Sequence, residues 1–389
     1  MDPAMDGILT PAARALWESD LGSWLVIALA IQGQALPELP LMAPCGEEAV
    51  AVCRSPSSLT AAEAQTRLAG SEEAFWVEDD LFHVVARRPE KPTLCCSIQS
   101  AMTPVAGSTD LWSLSVRVRD LDRAMLDVLL LPSDGRRPEE WRGPLAPPAP
   151  LTSLPRTGEV TRHVIQSAAL GEERGLFVYR PAGEGPMPVI YLADGEATES
   201  FASLLRPLVE AGEIPPTMIV GLWSGPLLKD GESAPPDRRH QEYLAGWNDE
   251  IYLAHEQFLL DEVMPLAERL GASSDPSHRM LAGFSDGAAW ALNTATVHPE
   301  HFRGVIAMSF GGRPDPRAKG AGYGAIYLTA GVLEPEFHDS TVDAASFLEG
   351  AAEAVRLDIR LAGHSPMLWN DRFPDAVRWL AHRDEGGAR

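Results

Sequence analysis

Short apolar runs dominate the chain between about residues 74 and 131. The stretches 81–86, 93–98 and 124–131 are mostly apolar, and in 111–118 the side chains of Trp112, Leu114, Val116 and Val118 fall on one face. Turn-forming segments at 88–92 and 106–108 separate them. Several short strands at this spacing predict a β-sandwich. Upstream the pattern weakens. Residues 12–19 have helical spacing, 24–31 and 49–53 could be strands, and Pro37, Pro40, Pro44 and Pro56 interrupt what lies between.

Between 132 and 158 the periodicity disappears. Pro132, Pro138, Pro144, Pro147, Pro148, Pro150 and Pro155 crowd into it, which reads as a semi-rigid linker and places a domain boundary near 155. Beyond it the pattern alternates. Strands are expected at 158–167, 173–180, 187–193, 217–222, 304–309, 325–330 and 355–361. Helices are expected at 201–211, 252–270, 342–353 and 369–382, with a polar loop over 223–246. Strand and helix in alternation predict a mostly parallel sheet. The organisation expected is thus a domain over 1–155 and a second over 156–389.

The chemistry centres on one stretch of the second domain. An apolar strand ending at Phe284 is followed by a helix to about Val297, and Gly283-Phe284-Ser285-Asp286-Gly287 spans the turn between them. This G-x-S-x-G pattern is a nucleophile elbow: the serine sits on a strained turn, and a side chain two residues before or after it would collide. The helix N-terminus behind it offers unsatisfied N–H groups to a developing oxyanion. In chain order an acid and a histidine should follow, each in a loop at the carboxyl end of a strand. Glu334 follows 325–330 and His364 follows 355–361, with Asp339, and after it Asp343, as the other acids in reach. The histidine would act as base and the acid would orient it. The oxyanion donors expected are the backbone N–H groups of Asp286 and of Glu196, in the Asp194-Gly195-Glu196 turn.

Charge and composition narrow the class. A formal net charge of −23 over 389 residues argues against nucleic acid and against anionic membrane surfaces. The 24–31 run is too short to span a bilayer, and the acidic start lacks the pattern of a secretory leader, so a cytoplasmic location is expected. Cys45, Cys53, Cys95 and Cys96 form no C-x-x-C; they read as buried thiols, with Cys95 and Cys96 on opposite faces of a strand and a Cys45–Cys53 disulfide as the alternative. Neither a metal nor a cofactor is expected. His298 and His301 lack a third ligand and read as helix-end residues, and no phosphate-binding or dinucleotide fingerprint occurs. Trp223, Trp247 and Trp369 could line a cleft or simply pack.

These residues carry a family resemblance. The second domain resembles the esterase D-like α/β-hydrolases, among them the enterochelin (ferric siderophore) esterases. Tyr191-Leu192-Ala193-Asp194-Gly195-Glu196 is similar to their D-G loop, and Phe258, Glu262 and Pro265 to an F-x-x-x-E-x-x-P helix. The elbow, Pro299 and Phe302 after it, Glu334-Pro335, and Gly363-His364 with Trp369 complete the match. Leu111-Trp112-Ser113-Leu114 and Trp141-Arg142-Gly143-Pro144 resemble the N-terminal domain of the cytoplasmic members. The resemblance implies an α/β-hydrolase sandwich with a smaller immunoglobulin-like β-sandwich domain before it, and a serine esterase acting on a small-molecule ester such as a ferric catecholate trilactone. A feruloyl, acetyl or other carboxylic ester is the alternative substrate, and a non-catalytic binding protein on the same scaffold the alternative of another class. One departure is Ala362-Gly363-His364-Ser365, where the family often has G-G-H-D. An anionic siderophore also demands cations at the mouth. Arg206, Arg238 and Arg239 are the candidates, and Arg239 with Glu242 resembles a family R-x-x-E. The substrate-binding residues expected are Arg239, Trp223 and Trp369.

Overall fold

The computed structural model describes residues 42–46, 51–131, 138–153, 160–228, 235 and 237–383. The expected elements at 12–19 and 24–31 lie outside them.

The alternation in the first third does build two facing antiparallel sheets. One contains β1 (Val52–Ser55), β2 (Glu73–Glu78), β3 (Leu81–Arg87), β6 (Thr103–Pro104) and β7 (Leu111–Val118), in the order β1-β7-β3-β2 with β6 beside β7. The other contains β4 (Thr93–Cys95), β5 (Ser100–Ala101), β8 (Met125–Leu131) and β9 (Glu139–Arg142), in the order β5-β4-β8-β9. Phe82, Val84, Leu114 and Val116 from the first sheet meet Leu94, Leu126, Val128 and Leu130 from the second in one core. A helix, Ala61–Leu68, covers the outer face, its start closed by a Thr60–Glu63 capping box.

Three expectations need correction here. β9 lies inside the proline-rich stretch read as linker, and pairs Glu139–Arg142 with β8. The thiol reading fails, because Cys45 bonds to Cys53 and Cys95 to Cys96. The second pair also overturns the opposite-faces reading: β4 ends at Cys95, so strand alternation does not govern Cys96.

The second unit is built on one sheet of eight strands among the described residues. They are β10 (Val160–Gln166), β11 (Glu173–Tyr179), β12 (Val189–Leu192), β13 (Met218–Leu222), β14 (Arg279–Phe284), β15 (Gly304–Met308), β16 (Tyr323–Gly331) and β17 (Ala352–Arg360). Their order is β10-β11-β13-β12-β14-β15-β16-β17. Both pairings of β11 are antiparallel and the rest are parallel, as expected for an alternating chain. This is the α/β-hydrolase fold. β14 sits mid-sheet, so the elbow at its end is surrounded by structure.

Helices cover both faces. On one, the segment from Asp249 to Arg269 and the elbow helix Asp286–Val297 pack through Phe258, Val263, Trp290 and Leu292. On the other, Thr198–Glu210 and Pro366–Ala381 pack through Phe201, Leu205, Trp369 and Phe373. Every residue of the elbow helix is buried, which accounts for its lack of a polar face. Glu262 ties the first face to the β10–β11 turn by accepting from the Ala169 N–H at 2.8 Å.

The two units interlock. Met125 of β8 belongs to the hydrolase core, and Leu333 of the hydrolase belongs to the sandwich core. The Met125 N–H donates to the Leu361 carbonyl at 2.9 Å. No helix of the described residues is long and apolar enough to cross a membrane.

Candidate active site

The elbow has the geometry its glycines imply. Ser285 has φ 57° and ψ −128°, a conformation that costs free energy for a residue with a Cβ and is held here by the strand before it and the helix after it. Its N–H donates to the Met308 carbonyl at 2.9 Å. A Cβ on Gly283 would lie 2.1 Å from the Gly287 carbonyl oxygen, and one on Gly287 2.8 Å from the Ala193 Cβ. Neither position has room for any other residue. Asp286 opens the helix, where backbone N–H groups have no intrahelical acceptor.

Glu334 and His364 come together across the ends of β16 and β17. His364 Nδ1 lies 2.6 Å from Glu334 Oε2, with both side chains nearly sealed from solvent. The acid is fixed on its other oxygen. Glu334 Oε1 accepts from the Gly331 N–H at 2.6 Å and from the Ser309 hydroxyl at 2.8 Å. Asp339, the other acid considered, is exposed and bonds to His338. With Nδ1 committed to the carboxylate, Nε2 is the ring nitrogen available for proton exchange.

Aromatic rings connect this pair to the elbow. Phe337 stacks on His364 with ring centroids 3.9 Å apart. A Cβ on Gly311 would lie 2.7 Å from the Phe337 ring and 3.5 Å from the Ser285 carbonyl carbon, so Gly311 is the narrow point between them. On the other side Trp369 stands edge-on to His364 at 5.2 Å and stacks on Phe284, the residue before the serine, at 4.2 Å.

The expected oxyanion loop abuts the elbow. Asp194 has φ 52°, and Glu196 follows in the 3-10 turn Gly195–Ala197. A Cβ on Gly195 would lie 2.5 Å from the Gly221 backbone, so only glycine lets the loop seat against β13. The Glu196 side chain turns inward and accepts from the Ser224 hydroxyl at 2.9 Å. Burial, and then the neighbouring Asp194 carboxylate, push its carboxyl up to about 8.

The three residues expected to bind substrate are placed differently. Arg239 is half-buried between the two loops: it binds both oxygens of Asp194, at 2.6 and 2.8 Å, and Asp286 Oδ2 at 2.7 Å. It ties the elbow to the Asp194–Glu196 loop. Trp369 is fully buried, with its indole N–H donating to the Ser309 hydroxyl at 2.9 Å. Trp223 stacks on Phe177 at 5.7 Å while its carbonyl accepts from Arg174. Trp247 is 55% exposed and stacks on His240, whose Nε2 lies 3.4 Å from Asp286. Arg238 is tied to Glu172 and Glu242, and Arg206 to Glu210.

Sequence reasoning missed Ser309, Phe337 and the structural role of Asp194. Ser309 has φ 55° at the end of β15, which pattern alone does not reveal. His298 binds Glu256 at 3.1 Å near the end of the elbow helix, and the described residues hold no cluster of three or more metal-ligating side chains.

Comparison with known proteins identifies the family and the fold. The family described as "Putative esterase" matches residues 167–383. Among solved structures, an enterochelin esterase from Shigella flexneri superposes with a TM-score of 0.59 at 16% identity, over 79% of this chain and 95% of that one. The S. flexneri enterobactin esterase crystallised in the presence of enterobactin gives 0.60 at 16%, over 85% and 100%. A ferric enterobactin esterase from Salmonella typhimurium gives 0.58 at 16%, over 81% and 97%. At these identities the likeness is one of fold. No protein of curated function matches the chain.

Proposed function

Since the chain belongs to the esterase family and is a carboxylic ester hydrolase, we propose that Ser285, His364 and Glu334 are its catalytic triad. The observation that carries this reading is the 2.6 Å His364–Glu334 contact, connected through Trp369 and Phe284 to a serine held on a strained elbow. Ser285 Oγ attacks the ester carbonyl as its proton passes to His364 Nε2. The N–H groups of Asp286 and Glu196 receive the oxyanion. The alkoxide leaves with the proton from His364, and water, deprotonated by the same nitrogen, cleaves the acyl-serine. Glu334 holds the ring and stabilises the imidazolium.

We further propose two domains divided near residue 155, the first of immunoglobulin-like type. For substrate, the enterochelin and enterobactin esterases that share the fold suggest a siderophore trilactone. One observation favours a second reading, an uncharged carboxylic ester such as a feruloyl or acetyl ester: Arg206, Arg238 and Arg239 are each bound to carboxylates. Hydrolysis of p-nitrophenyl butyrate and of a ferric catecholate trilactone, by the protein and its Ser285→Ala variant, tests both. Ser285-dependent cleavage of the trilactone supports the siderophore reading. Cleavage of the simple ester alone supports the second. Turnover that survives Ser285→Ala would overturn the triad.

A further inference from the structure

We propose that the N-terminal β-sandwich is the positioning element for the histidine–acid pair, with Asp127 as its central positioning residue. This rests on the triad reading above.

β8 divides its side chains between two tasks. Leu126, Val128 and Leu130 fill the sandwich core. The intervening residues point the other way, as strand geometry requires. Met125 enters the hydrolase core, Leu129 packs on Cys95 and Cys96, and Asp127 lies between them. Asp127 is 4% exposed and far from any place where a carboxylate is normally solvated. It accepts from the Ser97 N–H at 3.0 Å and from the Ser97 hydroxyl, while its own N–H donates to Ser97 Oγ at 3.0 Å. The hydroxyl of Ser365, next to the histidine, faces the same carboxyl. Burial raises the Asp127 carboxyl above the ordinary range.

Asp127 thereby holds Ser97 in place, and Ser97 lies directly against the histidine loop. A Cβ on Gly363 would fall 2.2 Å from the Ser97 Cα, so the two backbones touch. The loop is also held before and after the histidine. The Leu361 carbonyl accepts from Met125, and buried Ser365 opens the closing helix. The acid loop meets the same support. Leu333, immediately before Glu334, is part of the sandwich core, and its N–H donates to the Ala362 carbonyl at 3.0 Å. The sandwich thus fixes the backbone on both sides of their contact. Small displacements of such a pair cost turnover far more than binding.

The full-length protein and its Asp127→Ala and Asp127→Asn variants test this by two readouts. One is kcat and KM on p-nitrophenyl butyrate across pH. The other is the far-downfield proton resonance of the His364 Nδ1–H, identified by its loss in His364→Asn. Asp127→Ala is expected to lower kcat about 10- to 100-fold with KM changed less than about threefold. It should also broaden or remove the resonance. Asp127→Asn keeps an acceptor for Ser97 and is expected to retain both signals. Unchanged kcat and an intact resonance in a folded Asp127→Ala variant would overturn the proposal. So would a loss of activity that only tracks the unfolded fraction. If Asp127→Ala does not fold, Ser97→Ala, which leaves the backbone bond to Asp127, carries the same two readouts. Ser285→Ala keeps the resonance whatever its activity, so failure of the triad reading and failure of this one are told apart.

Discussion

Arg239 ties two loops of the candidate site together through their carboxylates. It joins Asp286, whose own N–H is proposed as one oxyanion donor, to Asp194, two residues before Glu196, whose N–H is proposed as the other. Arg239→Met is expected to lower kcat about 100-fold or more while KM stays within a few fold, measured on p-nitrophenyl butyrate. Arg239→Lys should restore little, because an ammonium cannot bridge two carboxylates as the planar guanidinium does. Nothing local in sequence marks this role, since its partners lie 45 and 47 residues away. Ser285, by contrast, was readable because the elbow imposes its glycines within two positions. Glu334 and His364 were readable because chain order and strand ends limit where they can be. His255 makes a separate point. Buried among Tyr243, Phe258 and Trp290, its imidazole is pushed down to about 4, chiefly by desolvation. A depressed histidine contributes stability above its unfolded value, lost as pH falls from about 6.5 through about 4. His255→Phe is therefore expected to flatten the fall in denaturation midpoint over that window.

Among the elements, the elbow tolerates least. Gly283→Ala would set a methyl 2.1 Å from a backbone oxygen that cannot move without unseating the helix. A loss of about 3 kcal/mol or more is expected in chemical denaturation. Strands with clean alternation or long apolar runs were legible: β7 matches its expected bounds, and β3, β8 and β14 lie close to theirs. The misreadings have physical reasons. β9 is a short strand of two glutamates, a tryptophan and an arginine amid prolines, and only its pairing with β8 makes it a strand. The helix Arg238–Tyr243 has no apolar stripe; Glu242 and Tyr243 instead carry buried polar groups. The helix expected at 342–353 runs Pro335–Leu348, because Pro335 sets its first turn and the apolar spacing gave too late a start.

At the scale of the whole molecule, two units that composition divides share core residues in both directions. Calorimetry is expected to show one unfolding transition, and Leu333→Ala to lower that single transition by about 2–5 kcal/mol. Two resolved transitions, only one of them moved, would contradict this. The interlock was not legible, because Met125 and Leu333 are indistinguishable in sequence from ordinary core residues. The internal pairing of arginines has a last consequence, for encounter rather than chemistry. The chain carries −23, and Arg206, Arg238 and Arg239 each spend their charge on a neighbouring carboxylate. An approaching anion therefore meets a repulsive long-range field, which dissolved salt screens over about 10 Å at 0.1 M. Raising ionic strength should then speed capture of a negatively charged ester and leave capture of a neutral one almost unchanged, so a salt titration of kcat/KM reports the charge this enzyme is built to admit.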